Sequence, residues 1–159
     1  QYLNARSTLE TLFRLGCVPV INENDTVATA EIRYGDNDRL AARVAQMITA
    51  DCLVLLSDVD GLYTADPASD STAVFVAEVE ALDETVMAMA GTSRSGVGVG
   101  GMATKLQAAQ IAVAAGCNMA IADGRVLHAL KRVAEGARCT WFAANQTPRT
   151  ARKRGSRAP

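Results

Sequence analysis

A chain of 159 residues with a formal net charge of −1 and 49% hydrophobic residues is expected to fold as one soluble globular domain. That charge balance excludes a general attraction to nucleic acid or to an anionic membrane, and no apolar run reaches the length of a transmembrane helix. No signal peptide opens the chain, which starts on Gln1 and is expected to be preceded by further sequence in its natural protein.

Tyr2 to Leu15 reads as an amphipathic helix with Leu9, Leu12 and Phe13 on one side, and Gly16 supplies its stop. Cys17 to Ile21 is a short apolar run that suits a buried strand, with Pro19 making it start late or lie near an edge. It empties into Asn22-Glu23-Asn24-Asp25, polar groups at a strand end, where the ligands of open parallel sheets collect. Thr26 to Tyr34 alternates loosely, as a hairpin or a lid would.

Gly35-Asp36-Asn37-Asp38 introduces a helical pattern over Arg39 to Thr49, whose apolar face holds Leu40, Ala41, Val44, Met47 and Ile48. One of Asp36, Asn37 and Asp38 is needed as the N-cap; the other two leave at least one carboxylate for other work. Cys52 to Leu56 is continuously hydrophobic and predicts a strand buried on both faces, in the centre of a parallel sheet. Ser57-Asp58-Val59-Asp60-Gly61 again gathers polar groups at a strand end, in a spacing that does not match a calcium-binding EF-hand loop. Val74 to Val76 predicts a brief strand, and Asp83 caps a helix through Met89.

The glycine-rich stretch Gly96-Val97-Gly98-Val99-Gly100-Gly101 runs into a helical pattern from Met102 to Ala115, which Gly116 stops. Such glycines permit positive φ and close approach to a ligand. The helix start behind them offers unpaired N–H groups and a positive dipole end to a phosphate. Lys105 lies about one turn inside, with an ammonium in reach of a phosphoryl oxygen. This is no Walker A loop, because the Gly-Lys-Ser/Thr triplet is absent.

Asn118 to Ala122 predicts a further strand, ending in Asp123-Gly124, and Cys139 to Phe142 a last one. Between them, Val126 to Ala134 predicts a helix carrying His128, the single histidine, read as filler and not as a catalyst. Cys17, Cys52, Cys117 and Cys139 lack the paired spacing of a zinc site and are read as buried thiols of a reducing cytoplasm. From Arg149 the tail turns basic and reads as a solvated linker.

Strands alternating with helices imply an α/β fold, a mostly parallel sheet covered by helices on both faces. Asn22–Asp25, Ser57–Asp60 and Asp123 then line one edge of that sheet together with the glycine loop, as a phosphate-ligand site. Two readings compete. In a Rossmann NAD(P) site, Gly96, Gly98 and Gly101 satisfy G-x-G-x-x-G with Asp123 about 20 residues on, but the strand required before the loop is missing. In a phosphotransferase, the loop and Lys105 act on a nucleotide's phosphates, which accounts for the other polar clusters.

Four stretches carry a more specific signal: Val20-Ile21-Asn22-Glu23-Asn24-Asp25-Thr26-Val27-Ala28-Thr29, Tyr34 to Leu40, Leu55 to Pro67, and Gly100 to Ala109. In this order, and over nearly the whole chain, they closely resemble the amino acid kinase family. The Asn-Glu-Asn-Asp and Gly-Asp-Asn-Asp pair resembles its glutamate-phosphorylating members in particular. The resemblance implies a three-layer αβα sandwich, of which this chain holds the C-terminal nucleotide-binding portion. It implies transfer of phosphate from ATP to the side-chain carboxylate of L-glutamate, the first step of proline biosynthesis.

Position by position, the resemblance assigns Asp25 and Asn37 to glutamate, with Asn22 nearby, and makes Asp38 the organiser of the transfer centre. It assigns Ser57, Asp58, Val99, Gly100, Gly101, Met102, Ala103, Thr104 and Lys105 to ATP, with Lys105 on the transferring phosphates. Ser57 stands where the family usually has Thr, which keeps the hydroxyl. Mg²⁺ is implied with the nucleotide and no metal ligand is assigned to the chain. Proline is implied as a feedback inhibitor, and the full-length enzyme as a cytoplasmic homo-oligomer.

The family's N-terminal third, with a first phosphate loop, a phosphate-contacting lysine and part of the glutamate site, has no counterpart here. Residues 1–147 are therefore expected to be a partial kinase domain and 148–159 a basic tail. Ala151 to Arg154 match the family's link to an RNA-binding-like domain, a pattern that stops at Gly155. A non-catalytic remnant is the third reading. The chemistry itself asks little of the acceptor, since a glutamate carboxylate (pKa about 4.3) is ionised at neutral pH and needs no general base. The obstacle is bringing that anion to a triphosphate, which in-line positioning, Mg²⁺, Lys105 and the helix N-terminus would offset.

Overall fold

A computed structural model describes residues 2–22, 37–90 and 101–145. Helix α1 (Tyr2–Arg14) ends as the sequence predicts, with Gly16 in the left-handed region at φ 72°. Helix α2 (Asn37–Ile48) begins two residues earlier than predicted, so Asn37 and Asp38 already lie in its first turn and neither is the cap. Its deepest residues are Ala42 and Ala45, with the predicted face residues Leu40, Val44, Met47 and Ile48 only half-buried beside them.

Strands β1 (Cys52–Ser57), β2 (Leu62–Tyr63), β3 (Phe75–Val76) and β4 (Glu78–Val79) precede α3 (Glu84–Ala88). The Asp83 carboxylate caps α3 as expected, accepting from Val86 N at 2.9 Å. Helix α4 (Met102–Ala114) is closed by Gly116 at φ 81° and followed by β5 (Asn118–Asp123), α5 (Ala129–Ala134) and β6 (Cys139–Phe142). One sheet runs in the order β1-β5-β6-β4, and β2 and β3 make a separate antiparallel ribbon. The β1–β5 and β4–β6 pairings are parallel and β5–β6 antiparallel, so the sheet is mostly parallel, in an α/β arrangement.

Alternation along β5 shows where the core sits. Met119 and Ile121 join the main apolar cluster with Ala42, Ala45, Leu106, Ala109 and Phe142, while Ala120 and Ala122, on the other face, are equally covered. Helices α2 and α4 pack on each other. The buried positions of α2 are alanines, and those of α4 are Ala108, Ala109 and Ala112 beside Leu106 and Lys105. Small residues on both sides let the two helix axes approach closely.

Four expectations need correction. Cys17–Ile21 forms no strand: it is coil, with Val18 and Val20 88% and 95% exposed, because hydrophobicity makes a strand only where a neighbouring strand accepts its hydrogen bonds. Among the described residues β1 is paired on one side only, with Cys52 and Leu56 exposed, so it is not buried on both faces. Cys117 and Cys139 are buried thiols as expected, but Cys17 and Cys52 are exposed for the same two reasons. The helix predicted from Val126 starts only at Ala129, after His128 takes φ 59° and breaks the helical run.

Thr26–Tyr34, the glycines from Gly96 to Gly100 and the basic tail lie outside the described residues. Among those described, no helix is long and apolar enough to cross a membrane.

Candidate active site

Close packing of α2 on α4 brings their first turns together. Lys105 Nζ donates to Asp38 Oδ2 at 3.0 Å, and Thr104 Oγ1, shared with the Gly101 carbonyl, reaches the same oxygen at 2.8 Å. Lysine is almost never buried without a partner, yet Lys105 is only 7% exposed. It also stands in the first turn of a helix, where the dipole disfavours a cation. Asp38, in the first turn of α2, offsets both penalties. Gly101 supplies no side-chain cap, so the leading N–H groups of α4 are not taken by its N-cap. With φ −77° and open space around its Cα, Gly101 itself uses no conformation that only glycine allows.

The second component is a cleft of about 1110 Å³ at the ends of β1 and β5. The register Ser57↔Asp123 aligns those ends. Lining residues include Asp58 and Asp60 from the loop after β1, Tyr63 on β2, Met89 after α3, Met102 at the start of α4, and Arg125 after β5. The lining thus combines two carboxylates, a guanidinium and apolar side chains. This matches the collection of ligands at the carboxyl ends of parallel strands.

The loop after β1 is held tightly. Thr140 Oγ1, fully buried on β6, accepts from Leu62 N at 2.7 Å and donates to the Val76 carbonyl at 2.6 Å. Gly61 sits at φ 157° directly against Thr140 and Phe75; a Cβ there would come within 2.7 Å of the Phe75 ring. Only glycine fits this approach.

Arg125 grips Asp123 through Nε and Nη2, both at 2.9 Å, and its backbone N–H donates to the same carboxylate. These hydrogen bonds hold the Asp123 carboxyl down at about 2 and push the Arg125 guanidinium above its ordinary value, with Asp58 and Asp60 adding to the latter. Burial raises the Tyr63 phenol, and its hydrogen bond to Asp60 raises it further. Burial pushes the Cys117 thiol up to about 11, which leaves it unreactive.

The residues singled out in the sequence divide into three groups. Asp38, Thr104 and Lys105 come together, and Asp58 and Met102 line the cleft beside Ser57, whose Oγ donates to Asp58 Oδ1 at 3.0 Å. Asn37 is exposed at the start of α2 and Asn22 is exposed in the coil that follows α1, where no strand precedes it. Asp25, Val99 and Gly100 lie outside the described residues. Arg125, Tyr63 and Arg138 were not singled out by the sequence. Arg125 follows a turn signal, Asp-Gly, at the end of a predicted strand, and that was the available clue; the other two carry none.

Residues 1–123 match the sequence profile of the Amino acid kinase family. The chain is 66% identical over 153 residues to the glutamate 5-kinase of Paramagnetospirillum magneticum, covering 96% of this chain and 41% of that protein. It is 62% identical to the glutamate 5-kinase of Rhodospirillum rubrum, with the same coverage. It thus spans about two-fifths of the length of the curated relatives it matches. Among solved structures it resembles the carbamate kinase of Giardia lamblia bound to AMP-PNP, with a TM-score of 0.58 at 19% identity over 88% of this chain and 49% of that one.

Proposed function

The chain belongs to the amino acid kinase family, and from that premise we propose that it carries the nucleotide-binding part of a glutamate 5-kinase. The whole protein transfers the terminal phosphoryl group of ATP to the side-chain carboxylate of L-glutamate. Residues 1–147 serve as kinase domain and 148–159 as tail, in a cytoplasmic enzyme of proline biosynthesis. The observation that carries this reading is the buried Lys105–Asp38 pair at the joined first turns of α2 and α4, one helical turn from Met102 on the cleft wall.

Polyphosphate lies against the N–H groups that open α4, where the dipole and the Lys105 ammonium both meet its charge. Asp38 keeps that ammonium aimed and holds Thr104 beside it. Arg125 stands at the cleft as a second cation, fixed by Asp123 so that little ordering is needed on binding. The acceptor carboxylate, ionised at neutral pH, attacks in line, and the family resemblance assigns Asn37 and Asp25 to its binding.

Mg²⁺ fits the donor set through Asp58. Asp123 is occupied by Arg125 and Asp60 by Tyr63 and Arg138, whereas Asp58 accepts a hydrogen bond from the Ser57 hydroxyl and feels Arg125 only through its charge. One carboxylate plus phosphate oxygens suits this ion, which supplies charge neutralisation on the phosphates. Proline inhibition and homo-oligomerisation of the full enzyme belong to the same proposal.

A titration calorimeter tests the reading directly. Mg·ATP binds the chain, and Lys105→Ala removes most of that binding, while NAD gives no heat. Binding of NAD that ignores Lys105→Ala would instead mark a Rossmann module, and silence toward both ligands a non-catalytic remnant. Against the Rossmann alternative stand helix α3, not a strand, as the last element before residues 91–100, and the family match itself.

A further inference from the structure

Arg138 lies just before β6 and does not line the cleft, yet it touches two residues that do. Its Nε is 3.2 Å from Asp60 Oδ2, and its Nη2 donates to the Tyr63 hydroxyl at 2.8 Å. The same hydroxyl reaches both oxygens of Asp60, at 3.1 and 3.2 Å. The guanidinium carbon sits 4.0 Å over the Phe75 ring and 5.5 Å over the Tyr63 ring, and the two rings meet edge to face at 5.4 Å. A planar fork with five donors can satisfy a carboxylate, a phenol and an aromatic face together; an ammonium is a point charge without that fixed geometry.

We propose that Arg138 is a positioning residue of the nucleotide cleft, aiming the Tyr63 hydroxyl and the Asp60 carboxylate from behind the wall they form. The proposal rests on the kinase reading above for the identity of the ligand, but the aiming itself is a property of the wall alone. Asp60 consumes the one hydroxyl proton of Tyr63, and Arg138 consumes one of its lone pairs. The phenol therefore has a single orientation open to it. Thr140 and Gly61 fix the backbone of this loop, so Arg138 has only side chains to set. Support comes also from the Tyr63 phenol, whose acidity Arg138 increases against the opposing effects of burial and Asp60.

The test is a double-mutant cycle on Mg·ATP affinity, read beside the ¹³Cζ NMR signal of Tyr63. Arg138→Gln is expected to weaken binding about tenfold, the scale of hydrogen bonds to a charged group, with the melting transition kept. In a chain already carrying Tyr63→Phe and Asp60→Asn, the same change is expected to add nothing. Arg138→Lys, which keeps the charge and loses the fork, is expected to recover little. The Tyr63 signal moves in Arg138→Gln and its titration midpoint shifts upward.

Unchanged affinity in Arg138→Gln, or an equal loss in both backgrounds, overturns the proposal while leaving nucleotide binding intact. If the unsubstituted chain binds no Mg·ATP, the kinase reading fails separately. The Tyr63 signal then decides alone: a move supports the aiming, and a signal blind to Arg138→Gln overturns it.

Discussion

Two ion pairs of the site have nearly the same length and opposite meanings. Lys105 and Asp38 meet at 3.0 Å with side chains 9% and 18% exposed; Arg125 and Asp123 meet at 2.9 Å with 65% and 23%. The first pair joins helices distant in sequence, carries a desolvation penalty on both charges, and sets a cation at the unfavourable end of a helix. The second links neighbours two residues apart, in water, where little is lost and little gained. Distance does not rank these interactions; solvent does. A buried pair of this kind is poor evidence for stability and better evidence for a charge held where a ligand needs it.

The contrast breaks most visibly at Lys105. Lys105→Ala leaves Asp38 half-enclosed without its cation and is expected to cost about 3 kcal/mol in chemical denaturation. Adding Asp38→Asn to Lys105→Met restores most of that stability, because no charge is then stranded, but Mg·ATP binding stays lost. Equal destabilisation in the single and double variants would show that the pair is structural after all.

The seam that encloses the first pair comes next in size. Ala109→Leu forces extra volume between α4 and its neighbours and is expected to cost about 2 kcal/mol. It should also weaken nucleotide binding, since Lys105 and Asp38 part as the helices do. Wild-type affinity in a destabilised Ala109→Leu chain would uncouple the charge from the packing.

Smallest is the acid limb of the exposed pair. The folded-state value of Asp123, about 2, lies below the ordinary 3.8. Its contribution to stability is therefore complete above pH 3.8 and is lost as the pH falls through about 2. Asp123→Asn flattens that part of the stability–pH curve and lowers the plateau above it only slightly, since the pair is exposed. A difference between the two chains at pH 7 as large as that of Lys105→Ala would erase the contrast.

Much of this was legible in the sequence where the signal is local. Helix α4 and strand β5 carry long apolar runs with glycine stops, and Asp83 announces α3 by its side chain alone. The α/β class follows from the alternation of elements. Misreadings arose where a partner decides the outcome. Cys17–Ile21 looks like a strand and is coil; β4, two residues long, is a strand through its pairing with β6, which no periodicity encodes. His128 breaks a helical run by a backbone angle that its side chain does not advertise.

In the site, Lys105 was legible from its place one turn behind the glycine loop and Asp38 took its role from family resemblance; their contact came from packing. Arg138 and Tyr63 are separated by 75 positions, and nothing along the chain connects a surface arginine to a tyrosine on a two-residue strand.

The alanines between α2 and α4 have a mechanical consequence. Alanine has no rotamer to turn, so a seam made of it cannot yield by repacking; the two helices shift as one block or not at all. An ammonium mounted on that block is a fixed landmark. An anion that meets it must do the travelling, because the charge itself stays put.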